Sequence, residues 1–316
     1  MGIRVLKGGM MTTVQDLGRT GYQSQGFSVS GVMDVRSFKI ANLLLDNPEN
    51  EAVLEFTLIG PTLEFTSETI ISITGGDFRP QINGKPAKMY TAIYMHRGDI
   101  LTFGGARTGT RGYIAFSSYL DVPVVMGSRS TNIKCQIGGY KGRKLEDEDY
   151  IAFRAKRRYL PYYLSRSLDL DEFDQEKITL RVVMGPQEKM FTKEGRETFL
   201  NSEYTVTSEF DRMGCRLEGP FIAYKTTSDI ISDGIAFGSV QVPSHGKPII
   251  LLADRQTTGG YAKIATVVSV DIPKLVQRKT EQKVRFQAVS VEEAQKLLAD
   301  EMKELNDFRS QIYTPC

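Results

Sequence analysis

The stretch Ile3-Arg4-Val5-Leu6-Lys7-Gly8 returns later in the chain as Leu180-Arg181-Val182-Val183-Met184-Gly185. Each is a short, partly β-branched apolar run closed by glycine, the pattern of a strand ending in a turn. Two further pairs follow in the same order. Gly84-Lys85-Pro86 is echoed by Gly246-Lys247-Pro248. Gly112-Tyr113, ahead of Asp121-Val122-Pro123, is echoed by Gly260-Tyr261, ahead of Asp271-Ile272-Pro273. The spacing between partners shrinks steadily, as insertions and deletions produce. No pair is decisive alone; three in one order predict a duplicated β-rich unit. The expected consequence is a cleft between two similar halves, a common home for ligands.

Other runs of strand length agree. Thr69-Ile70-Ile71-Ser72-Ile73-Thr74, Tyr113-Ile114-Ala115-Phe116 and Pro248-Ile249-Ile250-Leu251-Leu252 are separated by Gly, Pro and Asn turns. They predict a mainly β fold of barrel or sandwich character with a few α-helices. One helix is expected over Asp34–Leu45, where Phe38, Ala41, Leu44 and Leu45 share a face. A second is expected over Val291–Leu305, with Ser290 as N-cap and Glu293 completing a capping box. Its stripe of Val291, Ala294, Leu297, Leu298, Met302 and Leu305 is read as packing on the body of the protein, with a partner's groove as the alternative. Between the halves, a basic run, Arg154-Ala155-Lys156-Arg157-Arg158, and an acidic run, Asp169-Leu170-Asp171-Glu172-Phe173-Asp174, flank Leu160-Pro161. Opposite charge runs suit an exposed connection. The expected division is a first half over 1–155, a linker over 156–178, and a second half over 179–316 carrying the C-terminal helix.

Composition bounds the function. The 316 residues suffice for two domains, and 41% apolar with 25% charged residues is the balance of a globular chain. A net charge of +2 gives no strong field to recruit nucleic acid or an anionic membrane surface. Cys135, Cys215 and Cys316 have no paired spacing, which argues against a disulfide framework or a zinc site and for reduced thiols in a cytoplasmic protein. No long apolar run follows the first charges, so no secretion signal is expected, and Leu6 stands where a myristoylation motif needs a hydroxyl residue. No run is long enough to span a bilayer.

The polar, glycine-punctuated stretches are candidate ligand loops: Thr13–Tyr22, Gly127–Thr131, Ser208–Gly214 and Ala253–Tyr261. Each combines an Arg with Gly or hydroxyl residues, a donor set for carboxylate or phosphate. The same Asp–Arg pairs equally suit turns that hold loops in place. There is no P-loop and no Gly-x-Ser-x-Gly elbow. His96 and His245 lack metal-ligand spacing and read as loop residues. Carboxylates then carry any acid–base work. Asp233, in Ser232-Asp233-Gly234-Ile235, lies among apolar neighbours that would raise its pKa. Ala87-Lys88-Met89 departs from the Met-Lys-Met of biotin carriers, so no biotin is expected on this chain.

The longer motifs resemble a known family. Thr13-Val14-Gln15-Asp16-Leu17-Gly18-Arg19-x-Gly21-Tyr22 is similar to the opening signature of the family that holds the C-type component of bacterial 5-oxoprolinase, the second component of allophanate hydrolase and the carboxyltransferase part of urea carboxylase. Ser30-Gly31-Val32-Met33-Asp34, Ala41-Asn42, Gly127-Ser128-Arg129-Ser130-Thr131 and Gly138-Gly139 continue it. In the second half Asp211-Arg212-Met213-Gly214, Ser232-Asp233-Gly234-Ile235, Gln241-Val242-Pro243 and Asp254-Arg255-Gln256-Thr257-Thr258-Gly259-Gly260-Tyr261 do the same. The resemblance covers residues 3–297.

It implies two cyclophilin-like β-barrel halves related by duplication. It also implies an ATP-dependent opening of 5-oxoproline to glutamate, with ATP, and Mg2+ beside it, shared with partner subunits. Those partners would be a cyclophilin-like protein of the kinase-inhibitor type, resembling the B-type component of 5-oxoprolinase, and a larger one resembling its A-type component. Phosphorylation of the lactam oxygen would activate the carbonyl for water. Alternative roles in the family are carboxyl transfer from biotin to urea, and antagonism of a kinase-inhibitor partner. On the motifs, Asp233, Asp254 and Arg255 are the catalytic candidates. Asp211, Arg212, Gln241, Asn42, Arg129, Asp16, Arg19 and Asp34 are the substrate-binding candidates, with Arg255 or Arg212 expected to fork onto the substrate carboxylate. No metal ligands are assigned to this chain.

Overall fold

The computed structural model describes residues 1–156, 159–170 and 173–313. Arg157 and Arg158 of the basic run, Asp171 and Glu172 of the acidic run, and Cys316 lie outside the described residues. The chain forms two compact units. The first comprises Met1–Thr20, Ser30–Asp174 and the chain from Lys303 onward; the second comprises Gly21–Val29 and Gln175–Met302.

The first unit contains β1 (Gly2–Lys7), β2 (Met11–Gln15), α1 (Val35–Leu44), β3 (Val53–Thr57), β4 (Thr62–Phe65) and β5 (Thr69–Gly75). It continues with β6 (Gln81–Ile82), β7 (Lys85–Pro86), β8 (Ala92–Met95), β9 (Ile100–Thr102), β10 (Arg111–Phe116) and β11 (Tyr150–Ala152). These strands build a six-stranded sheet, β11-β1-β4-β9-β6-β7, and a five-stranded sheet, β2-β3-β10-β5-β8. Ile3, Val5, Leu63 and Phe65 of one sheet meet Leu54, Phe56, Ile71, Ile73, Ile114 and Phe116 of the other in a single apolar core. On the far face of the five-stranded sheet, Phe38, Ala41 and Leu45 of the α1 region cover Ile70, Tyr113 and Ala115.

The alternation within β5 explains why it is buried on both faces. Ile71 and Ile73 point into the core, whereas Ser72 and Thr74 point at the helix. There the two hydroxyls donate to Ala41 O at 2.7 Å and Ser37 O at 2.8 Å, so polar residues are buried with partners. The start of α1 is fixed by Asp34, whose carboxylate accepts from Ser37 N–H at 2.9 Å, as an N-cap should.

The second unit contains β12 (Lys177–Met184), α2 (Lys193–Asn201), β13 (Glu203–Phe210), β14 (Gly214–Glu218), β15 (Asp229–Gly234) and β16 (Ser239–Gln241). After these come β17 (Ile249–Leu251), β18 (Thr258–Tyr261), β19 (Lys263–Val267), α3 (Ile272–Val276), β20 (Lys283–Ala288) and the first part of the long α4 (Val291–Tyr313), whose residues from Lys303 onward belong to the first unit. Seven strands close a barrel in the order β12-β19-β16-β17-β14-β13-β20, while β15 and β18 pair separately as a two-stranded sheet. Ile178, Leu180 and Val182 alternate with more exposed residues along β12, the period a barrel interior requires. Phe286 of β20 stacks on Phe199 with centroids 4.4 Å apart. The fold is therefore mainly β with a few helices. The glycines of the second echo do the same work in both units. Gly84 (φ +77°), between β6 and β7, and Gly246 (φ +71°), between β16 and β17, each turn an antiparallel pair.

The capping box of α4 forms as expected. Glu293 N–H donates to Ser290 Oγ at 3.1 Å, and Ser290 N–H donates to Glu293 Oε2 at 2.8 Å. The helix runs further than its stripe suggested, and the stripe is not uniformly packed. Val291, Leu298 and Met302 are exposed; burial begins at Leu305, which joins Ile312, Ile40 and Leu44 in one cluster. Among the described residues no helix is long and apolar enough to cross a membrane.

Candidate functional site

Two of the polar stretches, together with Gln241, line one cavity of about 510 Å3 in the second unit. The β13–β14 turn supplies one wall. Asp211 shapes that turn by accepting from Met213 N–H at 2.7 Å and Gly214 N–H at 3.1 Å. The segment before β18 is joined to it: Leu252 N–H donates to Met213 O at 2.9 Å and Asp254 N–H to Arg212 O at 2.8 Å. The floor is apolar, with Phe210, Met213, Ile249 and Leu251. Above it stand Gln241, Gln256 and the Gly259–Gly260 backbone. Gln241 is buried and makes one long hydrogen bond, from its Nε2 to Tyr261 O at 3.4 Å. Its amide oxygen has no partner among the described residues. The charged lining residues are otherwise engaged, Asp211 in its turn and Arg216 with Glu209 at 2.9 Å.

Lys263 lies directly behind this wall, opposite Gln241 in the β16–β19 register. Its side chain is 5% exposed, and its ammonium donates to Asp233 Oδ2 at 2.6 Å and Gly234 O at 2.9 Å. Gln187 completes the cluster, accepting from Lys263 N–H at 3.2 Å and donating to Asp233 Oδ2 at 3.4 Å. Asp233 does not have the raised pKa expected from its sequence neighbours. The Lys263 ammonium, helped by the Gly234 N–H, holds its carboxyl below the usual range. The reason is topological: β15 stands in the separate two-stranded sheet with its side chains outward, so Asp233 is 55% exposed and Ile231 is 95% exposed. A carboxylate so held is a weak base near neutrality; what it does is fix Lys263.

Asp254 and Arg212 form an ion pair, Arg212 Nε to Asp254 Oδ2 at 2.8 Å, each side chain 12% exposed. Arg255 is buried. Its Nε donates to Ile235 O at 3.0 Å and its Nη1 to Leu252 O at 3.2 Å, and it lies over the Phe237 ring. Burial lowers its pKa. Neither arginine lines the cavity, contrary to the expected carboxylate fork: one guanidinium is on Asp254 and the other holds loop carbonyls.

The first-unit candidates form a second cluster. Asp16 is buried and accepts from Ser128 Oγ at 2.6 Å, Ser130 Oγ at 2.5 Å, Arg129 N–H at 2.6 Å and Gly18 N–H at 2.8 Å. Arg19, also buried, donates to Ser130 O. Arg129 donates through Nε to Val122 O at 3.3 Å. This knot joins the Thr13–Tyr22 and Gly127–Thr131 stretches. Asp34 caps α1, and Asn42 donates to Glu51 O at 2.8 Å and accepts from Asn47 at 3.0 Å. Of all the candidates, the cavity thus gathers Asp211 and Gln241, with Asp233 next to it through Lys263 and Gly259.

Lys263 and Gln187 escaped the sequence reading. The available signal was a lysine set in the run Tyr261-Ala262-Lys263-Ile264-Ala265, since a charge on a buried strand must be paired. Among the described residues no group of three or more His, Cys, Asp or Glu is arranged to hold a metal ion.

The cavity sets neutral amides beside three charged residues over an apolar floor, and the chain belongs to the carboxyltransferase family: the model "Carboxyltransferase domain, subdomain A and B" matches residues 25–288. Within it, the chain is 33% identical over 308 residues to the C-type component of the 5-oxoprolinase of Escherichia coli (strain K12), covering 95% of this chain and 96% of that one. It is 34% identical to the corresponding C-type component of Haemophilus influenzae, covering 90% of each. Among solved structures it is similar to the urea carboxylase of Kluyveromyces lactis, with a TM-score of 0.90 and 28% identity. That match covers 100% of this chain but spans only 30% of the urea carboxylase chain.

Proposed function

We propose that this chain is the lactam-binding component of an ATP-dependent 5-oxoprolinase, a hydrolase that opens 5-oxoproline to glutamate. The observation that carries the reading is the Gln241 amide, with its oxygen unengaged, set over an apolar floor in the second-unit cavity. A lactam presents one N–H and one C=O on the same side of an apolar ring. Gln241 and Gln256 can answer both, while Ile249, Leu251 and Met213 take the ring methylenes. End-to-end similarity to the C-type components of two 5-oxoprolinases supports the same reading.

The cavity lining does not fit a triphosphate. Arg216 is its one cation among the described residues, and Glu209 already holds it. The phosphoryl donor and its Mg2+ are therefore placed outside this cavity, shared with the partner components of the B type and the A type. This chain's residues bind the lactam, keep its ring on the floor and orient its carbonyl.

A second reading has its own support. The family model is that of a carboxyltransferase, and the ureido ring of biotin offers the same N–H and C=O edge as a lactam. Reconstitution separates the two. The chain is mixed with its partner components, each is omitted in turn, and ATP-dependent glutamate formation from 5-oxoproline is followed. Activity lost when this chain is omitted, and reduced by Gln241→Leu, supports the lactam reading. A mixture inert toward 5-oxoproline but active in carboxyl transfer from a biotinylated carrier to urea-type acceptors replaces it.

A further inference from the structure

A second cavity, of about 560 Å3, lies wholly within the first unit and has no part in the site described above. Its lining is part apolar and part charged. Pro80, Pro86 and Tyr90 supply rings, and Met89, Leu168, Leu170 and Phe173 supply the remaining apolar surface. Tyr90 is locked in place, because its hydroxyl donates to Gly75 O at 2.9 Å and accepts from Gly75 N–H at 3.1 Å. Two non-glycine wall residues, Arg79 (φ +47°) and Tyr90 (φ +53°), sit in the left-handed region, a conformation that costs energy and is held only where the surroundings fix it.

The rim carries Arg79, Lys88 and Arg107 against Asp77 and Asp169. Asp77 is taken by Arg107, at 2.7 Å. Arg79 is not paired with a carboxylate among the described residues. Its Nε and Nη2 donate to Gly105 O at 3.2 and 3.1 Å, which leaves further guanidinium donors unused. Lys88 is exposed and has no hydrogen-bond or ion-pair partner among the described residues. Arg79 and Lys88, neither in an ion pair among the described residues, therefore overhang the apolar part of the slot, and with three cations against two carboxylates the rim keeps an excess of positive charge.

We infer that this cavity is a binding site for a small amphiphilic anion, a phosphate or carboxylate joined to a flat apolar body. The anion lies between Arg79 and Lys88, where the fork and the ammonium supply charge-assisted hydrogen bonds. The flat body lies between the proline and aromatic rings. A plain inorganic anion would leave the apolar surface uncovered, and a neutral aromatic would leave the rim's excess positive charge unmatched. The volume is that of a small-molecule site. The inference does not depend on which reaction the second unit serves.

The probe is 8-anilinonaphthalene-1-sulfonate, an aromatic anion whose fluorescence rises on apolar burial, titrated into the full chain. Saturable binding at one site is expected, weakened about tenfold or more in Lys88→Ala/Arg79→Ala, the loss of charged hydrogen bonds. Lys88→Glu serves as a second variant. Because Lys88 has no partner among the described residues, it removes nothing the fold uses, and an unchanged melting temperature checks this. Phenyl phosphate, phenylacetate and adenosine monophosphate then compete. The strongest competitor identifies the source as an aryl phosphate, a carboxylate or a nucleotide. Inorganic phosphate should compete at least tenfold less well than phenyl phosphate. Unchanged probe affinity in both variants, or inorganic phosphate competing as well as phenyl phosphate, overturns the assignment.

Discussion

Substituting Gly259 by alanine should separate stability from binding. A Cβ at this position would lie 2.7 Å from Ile235 Cδ1 and 2.9 Å from Gln241 Nε2. Ordinary contacts are about 3.5–4.0 Å, so Ile235 must retreat by roughly 0.8 Å or more and Gln241 by roughly 0.6 Å or more. Both are side-chain ends rather than backbone, and Gly259 itself is not in the left-handed region. Overpacking costs about 1–3 kcal/mol, offset by about 0.4–1 kcal/mol from the stiffer unfolded chain. A net loss of about 1 kcal/mol lowers the melting temperature of a unit this size by about 2–4 °C. Binding is hit harder, because the retreating group is the Gln241 amide. Losing its hydrogen bonds and leaving a buried ligand amide unmatched costs about 1–3 kcal/mol, roughly 5- to 150-fold in affinity. Calorimetric melting of the chain and kcat/KM of the reconstituted complex measure the two effects. Gln241→Leu should match the alanine variant in kcat/KM. An alanine variant with wild-type kcat/KM refutes the role given to Gln241 and, with it, the placement of the lactam.

Three further outcomes test the supporting structure. Asp271 is fully buried and accepts from Arg181 Nη2 at 2.6 Å, from Arg181 N–H at 2.8 Å and from Lys274 at 2.7 Å. Burial alone would raise its pKa; the Arg181 and Lys274 hydrogen bonds outweigh it and hold the carboxyl low. Its stabilisation is therefore present above the unfolded value of about 3.9 and fades as pH falls through the lower folded value. Asp271→Asn should cost about 3 kcal/mol at neutral pH and flatten the acid limb of a stability–pH curve; an acid limb as steep as wild type counts against this. Asp16→Ala removes the acceptor for two hydroxyls and two N–H groups and should cost about 3 kcal/mol, with faster hydrogen exchange at Gly18 and across the Gly127–Thr131 stretch. Asp233→Asn should leave the shape of the pH–rate profile around neutrality intact while reducing kcat/KM, because the carboxylate holds Lys263 and is not a titrating base. Loss of a limb near neutral pH in that variant would restore the acid–base role.

What the sequence could reveal depended on how local the cause was. The helix cap at Asp34, the capping box at Ser290 and the strand runs were legible because each rests on residues within a few positions of one another. The turn role of Asp211 is equally local, two hydrogen bonds to the next three residues. Asp233 was misread for the opposite reason. Its apolar neighbours in sequence suggested burial, but β15 pairs only with β18, and the group that sets its charge, Lys263, is thirty residues away. The length of the packed part of α4 was hidden in the same way, since Leu305 and Ile312 pack against Ile40 and Leu44 of α1. The arginines carry the sharper lesson. Asp254-Arg255 and Asp211-Arg212 look alike as dipeptides, yet Arg212 pairs with Asp254 while Arg255 holds carbonyls, and neither lines the cavity. A motif rich in Arg and Asp is therefore compatible with a site that reads its ligand through neutral amides. In that arrangement charge pairs fix the loops that form the walls, and the cavity keeps a low net charge. A partly buried ion pair such as Arg212–Asp254 holds its loops before any ligand arrives, so the walls are preorganised and binding energy is not lost to ordering them.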